Sequence, residues 1–132
     1  KAMLAERLGC KPERLVERGY VVMSAGVGAS DGVPAAPHAV EAVARRGASL
    51  KAHASLRATA AVLRRADLVI ALAGDHLDAI LDLAPEMGDR TRMLHPEGFD
   101  VVDPIGSDRA TYEETAREIE EYVARLLDDL GV

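Results

Sequence analysis

The sequence predicts an α/β fold with a mostly parallel sheet. Helical and strand signals alternate along all 132 residues. The clearest strand, Asp67–Ala73 (DLVIALA), is apolar almost throughout, the composition of a strand covered on both faces. The length fits one domain over residues 1–132, with no repeat, low-complexity tract or long linker.

Each element has a local cause. Lys1–Leu8 reads as the tail of a helix, with Met3, Leu4 and Leu8 on one face and Gly9 as its stop. Tyr20–Met23 is a short apolar run feeding Ser24-Ala25-Gly26, the form of a buried strand entering a loop. Gly28, Gly32 and Pro34 make Val27–Ala36 a loop, and Pro37 opens a helix running to about Arg46, closed by Gly47. Thr59 caps a helix through Arg65, the strand Asp67–Ala73 follows, and Asp75–Leu83 is a helix stopped by Pro85. Arg92–Leu94 is a weaker strand. Thr111-Tyr112-Glu113-Glu114 has capping-box spacing ahead of a helix with Ala116, Ile119, Tyr122, Val123, Leu126, Leu127 and Leu130 on one stripe. Its acidic run is a solvated face, with Glu113–Arg117 and Glu121–Arg125 at i,i+4 spacing. The chain thus opens on a helix, whereas parallel sheets grow by strand–helix–strand units. Pattern alone leaves two readings open: an ordinary N-terminal helix, or a strand missing in front.

Composition narrows the function. Sixteen Lys+Arg against twenty-two Asp+Glu give a net charge of −6, which argues against nucleic-acid binding. No apolar stretch approaches the roughly 20 residues of a membrane span. A single cysteine, Cys10, rules out an internal disulfide framework and a thiolate zinc cluster, and a reducing cytoplasm is the expected setting. No pair among the four histidines has metal-ligand spacing, so neither metal nor cofactor is expected. With three Tyr, one Phe and no Trp, an aromatic ligand would find few rings to stack on.

Three ordered segments carry a resemblance. The first is Ser24-Ala25-Gly26-Val27, then Ala29-Ser30, Gly32 and Pro37-His38-Ala39-Val40-Glu41-Ala42. The second is Leu50, His53, Ser55 and Thr59, then Ala66-Asp67-Leu68-Val69 with His76 beyond. The third is Asp100-Val101-Val102-Asp103-Pro104-Ile105-Gly106, then Tyr112. Together they resemble the low-molecular-weight protein tyrosine phosphatase family, in particular its bacterial branch that includes protein-arginine phosphatases.

The resemblance implies a doubly wound, flavodoxin-like, four-stranded parallel sheet with helices on both faces. It also implies a mechanism: a cysteine in a Cys-x5-Arg loop attacks phosphorus and forms a phosphocysteine. Loop amides and a helix N-terminus stabilise the anions, and the arginine forks the phosphate oxygens. These residues hold no such loop. Position 16, six after Cys10, is Val16, and Cys10 follows the first helix, at the wrong end of its dipole for a stabilised thiolate. Lys1-Ala2-Met3-Leu4-Ala5-Glu6 resembles the helix start that follows the family's loop. The first strand and nucleophile loop are therefore expected to belong to the natural protein but not to this chain, which alone is expected to be inactive.

The resemblance also distributes roles. Asp103 is the candidate general acid and base, aimed by Pro104; the alternative for an Asp-Pro pair is a plain turn opener, and the flanking Asp100 and following Gly106 favour the functional role. Ser24 and His53 match residues that support the nucleophile loop from behind, and Asp100 is either a supporting carboxylate or surface charge. Val27 and Ile105 match the substrate cleft. The implied partners are a phosphorylated protein substrate and phosphate or another oxyanion, with no nucleic acid or membrane. Where tyrosine-directed members often carry rings after the Asp-Pro, this chain has Ile105, which leans towards the arginine branch. The alternative is a catalytically inactive α/β module that binds an anion or a protein. A response-regulator-like domain is disfavoured because Asp75 lacks an acidic pair at the first strand, and arsenate reductase because a disulfide relay needs more cysteines.

Overall fold

The computed structural model describes residues 1–132. Helix α1 (Ala2–Arg7) is followed by a 3-10 segment, Pro12–Arg18, then α2 (Pro37–Ala44) and α3 (Ala60–Arg64). Strand β1 (Val69–Ala71), helix α4 (Gly74–Leu83), a second 3-10 segment (Pro85–Arg90), strand β2 (Thr91–Met93) and helix α5 (Arg109–Asp129) complete the chain. β1 and β2 pair in parallel, with Val69, Ile70 and Ala71 opposite Thr91, Arg92 and Met93. The crossover between them is α4 with its 3-10 tail, the connection a parallel pair requires.

Local chemistry accounts for most boundaries. Proline opens α2 and both 3-10 segments, where its missing N–H has no intrahelical partner to lose. The Thr59 hydroxyl accepts from the Val62 amide and caps α3, as its sequence position predicts. The last helix begins earlier than the Thr111 capping box suggests. Asp108 is the cap, its Oδ1 accepting from the Thr111 amide at 2.9 Å and from the Thr111 hydroxyl at 2.7 Å. A carboxylate satisfying both donors outcompetes the threonine, which then lies inside the helix.

Only 14 residues are buried, and the apolar ones fall mainly into two separate clusters. The first gathers Leu63, Ala71, Ile80, Ala84 and Met87 from α3, β1, α4 and the following turn, with Val69 and Met93 packed on it. Val69 and Ala71 face this cluster; Ile70, between them, points to the other side. The second gathers Leu4, Ala5, Leu15 and Leu127, with Cys10 against it, and joins α1 to the end of α5. Arg7 reinforces that joint: it meets Asp128 at 2.6 Å and donates to the Val132 carbonyl at 3.1 Å. Positive charge at the end of α5 suits its dipole.

Two expectations need correction. The sheet has two strands, not the expected four or the three this chain was to supply. Tyr20–Met23 forms no strand, with Val21 76% and Met23 65% exposed, because the two-stranded sheet gives it no hydrogen-bonded neighbour. The first pairing beyond that stretch is an isolated parallel bridge from Gly26 to Arg57. Secondly, Glu113 does not pair with Arg117. Its two oxygens are taken by Arg45 at 2.7 Å and Arg46 at 2.9 Å, from the turn that ends α2, and Arg46 also reaches Glu120 at 3.2 Å. A fork of guanidiniums from a neighbouring helix outcompetes a single solvated i,i+4 partner. Glu121–Arg125 forms as expected, at 3.2 Å.

Candidate active site

Three segments meet around the carboxyl end of β1. The first is the turn Gly26–Val33. Gly26 donates to the Leu56 carbonyl at 2.9 Å and accepts from the Ala58 amide at 3.0 Å. A Cβ on Gly26 would lie 2.8 Å from the Ala29 Cβ, so the turn is closed to larger residues there. Beyond it, Gly32 takes φ +81°, which a side chain would resist.

Two side chains lock this turn to the segment before α3. The Ser55 hydroxyl accepts from the Val33 amide at 2.9 Å and donates to the Ser30 carbonyl. Asp31 Oδ1 accepts from the Arg57 amide at 2.6 Å. Backbone bonds from Gly32 to Ser55, 2.8 Å, and from Ser55 to Val33, 2.9 Å, complete the seam. The sequence reading gave these two residues no role, although Asp31-Gly32 is a turn dipeptide whose carboxylate commonly bonds nearby amides.

The second segment is the start of α4, and the third is the loop from Phe99 to Ile105. The Val101 amide donates to the Leu72 carbonyl at 2.7 Å, just past the end of β1, and Val101 is buried. Asp100 Oδ1 accepts from the Gly74 amide at 2.8 Å. Asp103, three residues on, is exposed; its Oδ1 accepts from the Ile105 amide at 3.0 Å, an Asx turn that orients the Asp-Pro corner. Ser107 then donates to the Pro104 carbonyl at 2.8 Å, and Asp108 caps α5. The Asp108 carboxyl lies below the usual aspartate range, chiefly through the Thr111 hydroxyl and then the Thr111 amide.

Asp100 and Asp103 therefore share one loop, anchored at the sheet's carboxyl edge, where ligands of open α/β sheets bind. The other candidates sit less close to a defined network. Ser24 is exposed, just after the unpaired stretch Tyr20–Met23, and its hydroxyl makes no hydrogen bond within these residues. His53 is half-buried; its backbone amide donates to the Leu50 carbonyl at 3.0 Å, and its ring makes no hydrogen bond. Val27 is half-buried with its side chain on the first core cluster, so of the two cleft candidates only Ile105, 76% exposed, stands free. Cys10 is half-buried against the second cluster, among α1, the first 3-10 segment and α5.

An α/β fold of this kind, with an Asp-Pro loop fastened at the strand end, defines a class that comparison with known proteins identifies. The family described as low molecular weight phosphotyrosine protein phosphatase matches residues 2–131, and the chain belongs to that family. Among its relatives is the protein-arginine-phosphatase of Bacillus subtilis, 34% identical over 113 residues, covering 83% of this chain and 75% of the relative. Another is the low molecular weight protein-tyrosine-phosphatase Etp of Escherichia coli, 30% identical over 123 residues, 86% of this chain and 83% of the relative. Among solved structures, a YwlE mutant from Bacillus subtilis superposes with a TM-score of 0.83 at 32% identity, covering 98% of this chain and 84% of that one. No helix is long and apolar enough to cross a membrane.

Proposed function

We propose that this chain carries the acid–base side of a protein phosphatase that works through a cysteinyl-phosphate, with Asp103 as the proton donor and acceptor. The observation that supports this reading is the placement of the Asp103 loop, fastened to the Leu72 carbonyl at the end of β1. A loop fastened there would bring its aspartate to the edge where ligands of open α/β sheets bind.

In the first step the thiolate of a Cys-x5-Arg loop attacks phosphorus. The S–P bond forms, the bond to the leaving side chain breaks, and Asp103 gives its proton to the departing atom. In the second, Asp103 takes a proton from water as the water attacks phosphorus. The S–P bond breaks, and phosphate leaves with the thiolate restored. Residues 1–132 contain no Cys-x5-Arg, so the nucleophile has to come from outside them. Ser24 and His53, each without a side-chain hydrogen bond within these residues, would hold that loop from behind.

Phosphoarginine is the favoured substrate over phosphotyrosine. Directly after Asp103-Pro104 the chain presents Ile105, and the Val27–Ser30 turn has no ring, so little stacking surface exists for a phenol. A sequence relative named for arginine, the Bacillus subtilis enzyme at 34% identity, supports the same choice. The test is turnover of an aryl phosphate, a phosphotyrosine peptide and a phosphoarginine peptide. Residues 1–132 alone should hydrolyse none of them, and the same residues preceded by a strand and a Cys-x5-Arg loop should prefer phosphoarginine. Binding of an anion or a protein by the extended chain, without hydrolysis of any substrate, would favour the inactive-module reading.

A further inference from the structure

We propose that Asp100 is the positioning residue of the acid–base loop: by gripping the first amide of α4 it sets where Asp103 can reach. This rests on the phosphatase reading above and adds a residue to it.

The geometry begins with an uncapped helix. Gly74 is the first residue of α4, and its N–H is among those with no carbonyl inside the helix. The residue before it, Ala73, has no side-chain oxygen with which to cap, and makes no side-chain hydrogen bond. The cap comes instead from 26 residues away, as Asp100 Oδ1 takes the Gly74 amide at 2.8 Å. A carboxylate is well placed there, at the positive end of the helix dipole.

A second bond makes this a two-point clamp. One residue along the loop, the Val101 amide donates to the Leu72 carbonyl at 2.7 Å, two residues before Gly74. One bond lets a loop swivel; two bonds, made by adjacent residues to both sides of the β1–α4 corner, fix its direction. Beyond the clamp only Val102 separates the anchored stretch from Asp103, a span of about 7 Å when extended. The Asp103–Ile105 Asx turn then fixes the corner itself. Little slack remains, so the place of the Asp103 carboxyl follows from the grip of Asp100.

The clamp can be opened from either side. Asp100→Ala removes the acceptor, whereas Asp100→Asn keeps an oxygen that accepts the same amide. Gly74→Pro removes the donor at a position that favours proline, because it is the first turn of a helix and Ala73 is extended (φ −146°, ψ 158°). A Cβ at position 74 would sit 3.7 Å from Asp100 Oδ1, an ordinary contact, so Gly74→Ala is the steric control.

The experiment measures kcat and KM in the phosphatase that carries its Cys-x5-Arg loop, with substrates of good and poor leaving groups. Asp100→Ala and Gly74→Pro should each lower kcat/KM for poor leaving groups, which reports the first step alone, by about 10- to 100-fold, the scale of a misplaced catalytic group. For good leaving groups, which need no proton in that step, kcat/KM should be spared, while kcat falls for both classes wherever the shared water step limits turnover. Asp100→Asn and Gly74→Ala should stay close to the parent, and the double variant Asp100→Ala/Gly74→Pro should be no slower than either single. Amide exchange at Val101 and Ile105 should quicken in Asp100→Ala, a check independent of turnover. The proposal is overturned if Asp100→Ala leaves kcat/KM of poor leaving groups unaffected, lowers kcat/KM of both classes alike, or is matched by Asp100→Asn. Asp103→Asn, run alongside, separates the failures. If it slows poor leaving groups while Asp100→Ala does not, only the positioning role falls; if it slows neither class, the acid role falls and takes this proposal with it.

Discussion

Arg46, two residues past the end of α2, donates to Glu113 of α5 at 2.9 Å, joining residues 67 apart in the chain. With Arg45 on the other oxygen, this fork ties the end of α2 to α5, and it has a pH signature. The Glu113 carboxyl lies below the usual glutamate range, first because the Arg46 side chain hydrogen-bonds it and then through the positive charge of Arg45 and Arg46. A lowered carboxyl stabilises the fold fully above its ordinary value near 4.5 and loses that contribution as pH falls through the folded value. Glu113→Gln should therefore be less stable than the parent by a constant margin from about pH 6 to 8, and the margin should shrink on acidification below the ordinary glutamate range. Urea midpoints across that pH series check this, and a margin independent of pH would refute it.

Asp103→Ala should lower kcat/KM for poor leaving groups by about 100-fold or more, within the usual 10²–10⁴ of general acid catalysis. For substrates with good leaving groups kcat/KM should change much less. Steady-state kinetics on a series of aryl phosphates gives the answer, and an equal loss of kcat/KM across the series would refute the acid role.

Ser55→Ala should loosen the turn Gly26–Val33 without unfolding the protein. It removes an acceptor for the Val33 amide and a donor to the Ser30 carbonyl, a loss of about 1–2 kcal/mol. Denaturant unfolding measures the cost, and faster amide exchange at Val33 locates it.

Met87→Ala should be costly and Val16→Ala should not. Met87 is fully buried in the cluster beneath α4, so truncation leaves a cavity worth about 2–5 kcal/mol. Val16 is 66% exposed, and its truncation should stay within about 0.5 kcal/mol. Unfolding midpoints of the two variants provide the comparison.

What the sequence made legible follows from what each element depends on. α2, α3, α4 and the core strand β1 were readable because their signals are local: Pro37, the Thr59 cap, Pro85 and the apolar run around Val69–Ala71. The Asp-Pro loop was readable as a motif, and its attachment to Leu72 came only with the tertiary structure. Tyr20–Met23 misled because strand composition is not a strand without a neighbour to complete the ladder. Glu113 misled because helix spacing names partners on its own helix and is blind to Arg45 and Arg46 arriving from another. Asp100's amide partner was invisible for the same reason: 26 residues lie between a carboxylate and the helix end it caps.

The bare outer edge of β1 and the greasy stretch Val21–Met23 have a colloidal consequence. A strand edge that pairs with no second strand, together with exposed valines, is a template on which further copies can grow by β-stacking. At a net charge of −6, mutual repulsion holds such copies apart in dilute buffer. Raising the ionic strength shortens the reach of that repulsion to a few ångströms and leaves the sticky edge in place. A preparation of these residues that is clear at low salt should turn cloudy as salt is added, the reverse of a protein whose copies are held together by opposite charges.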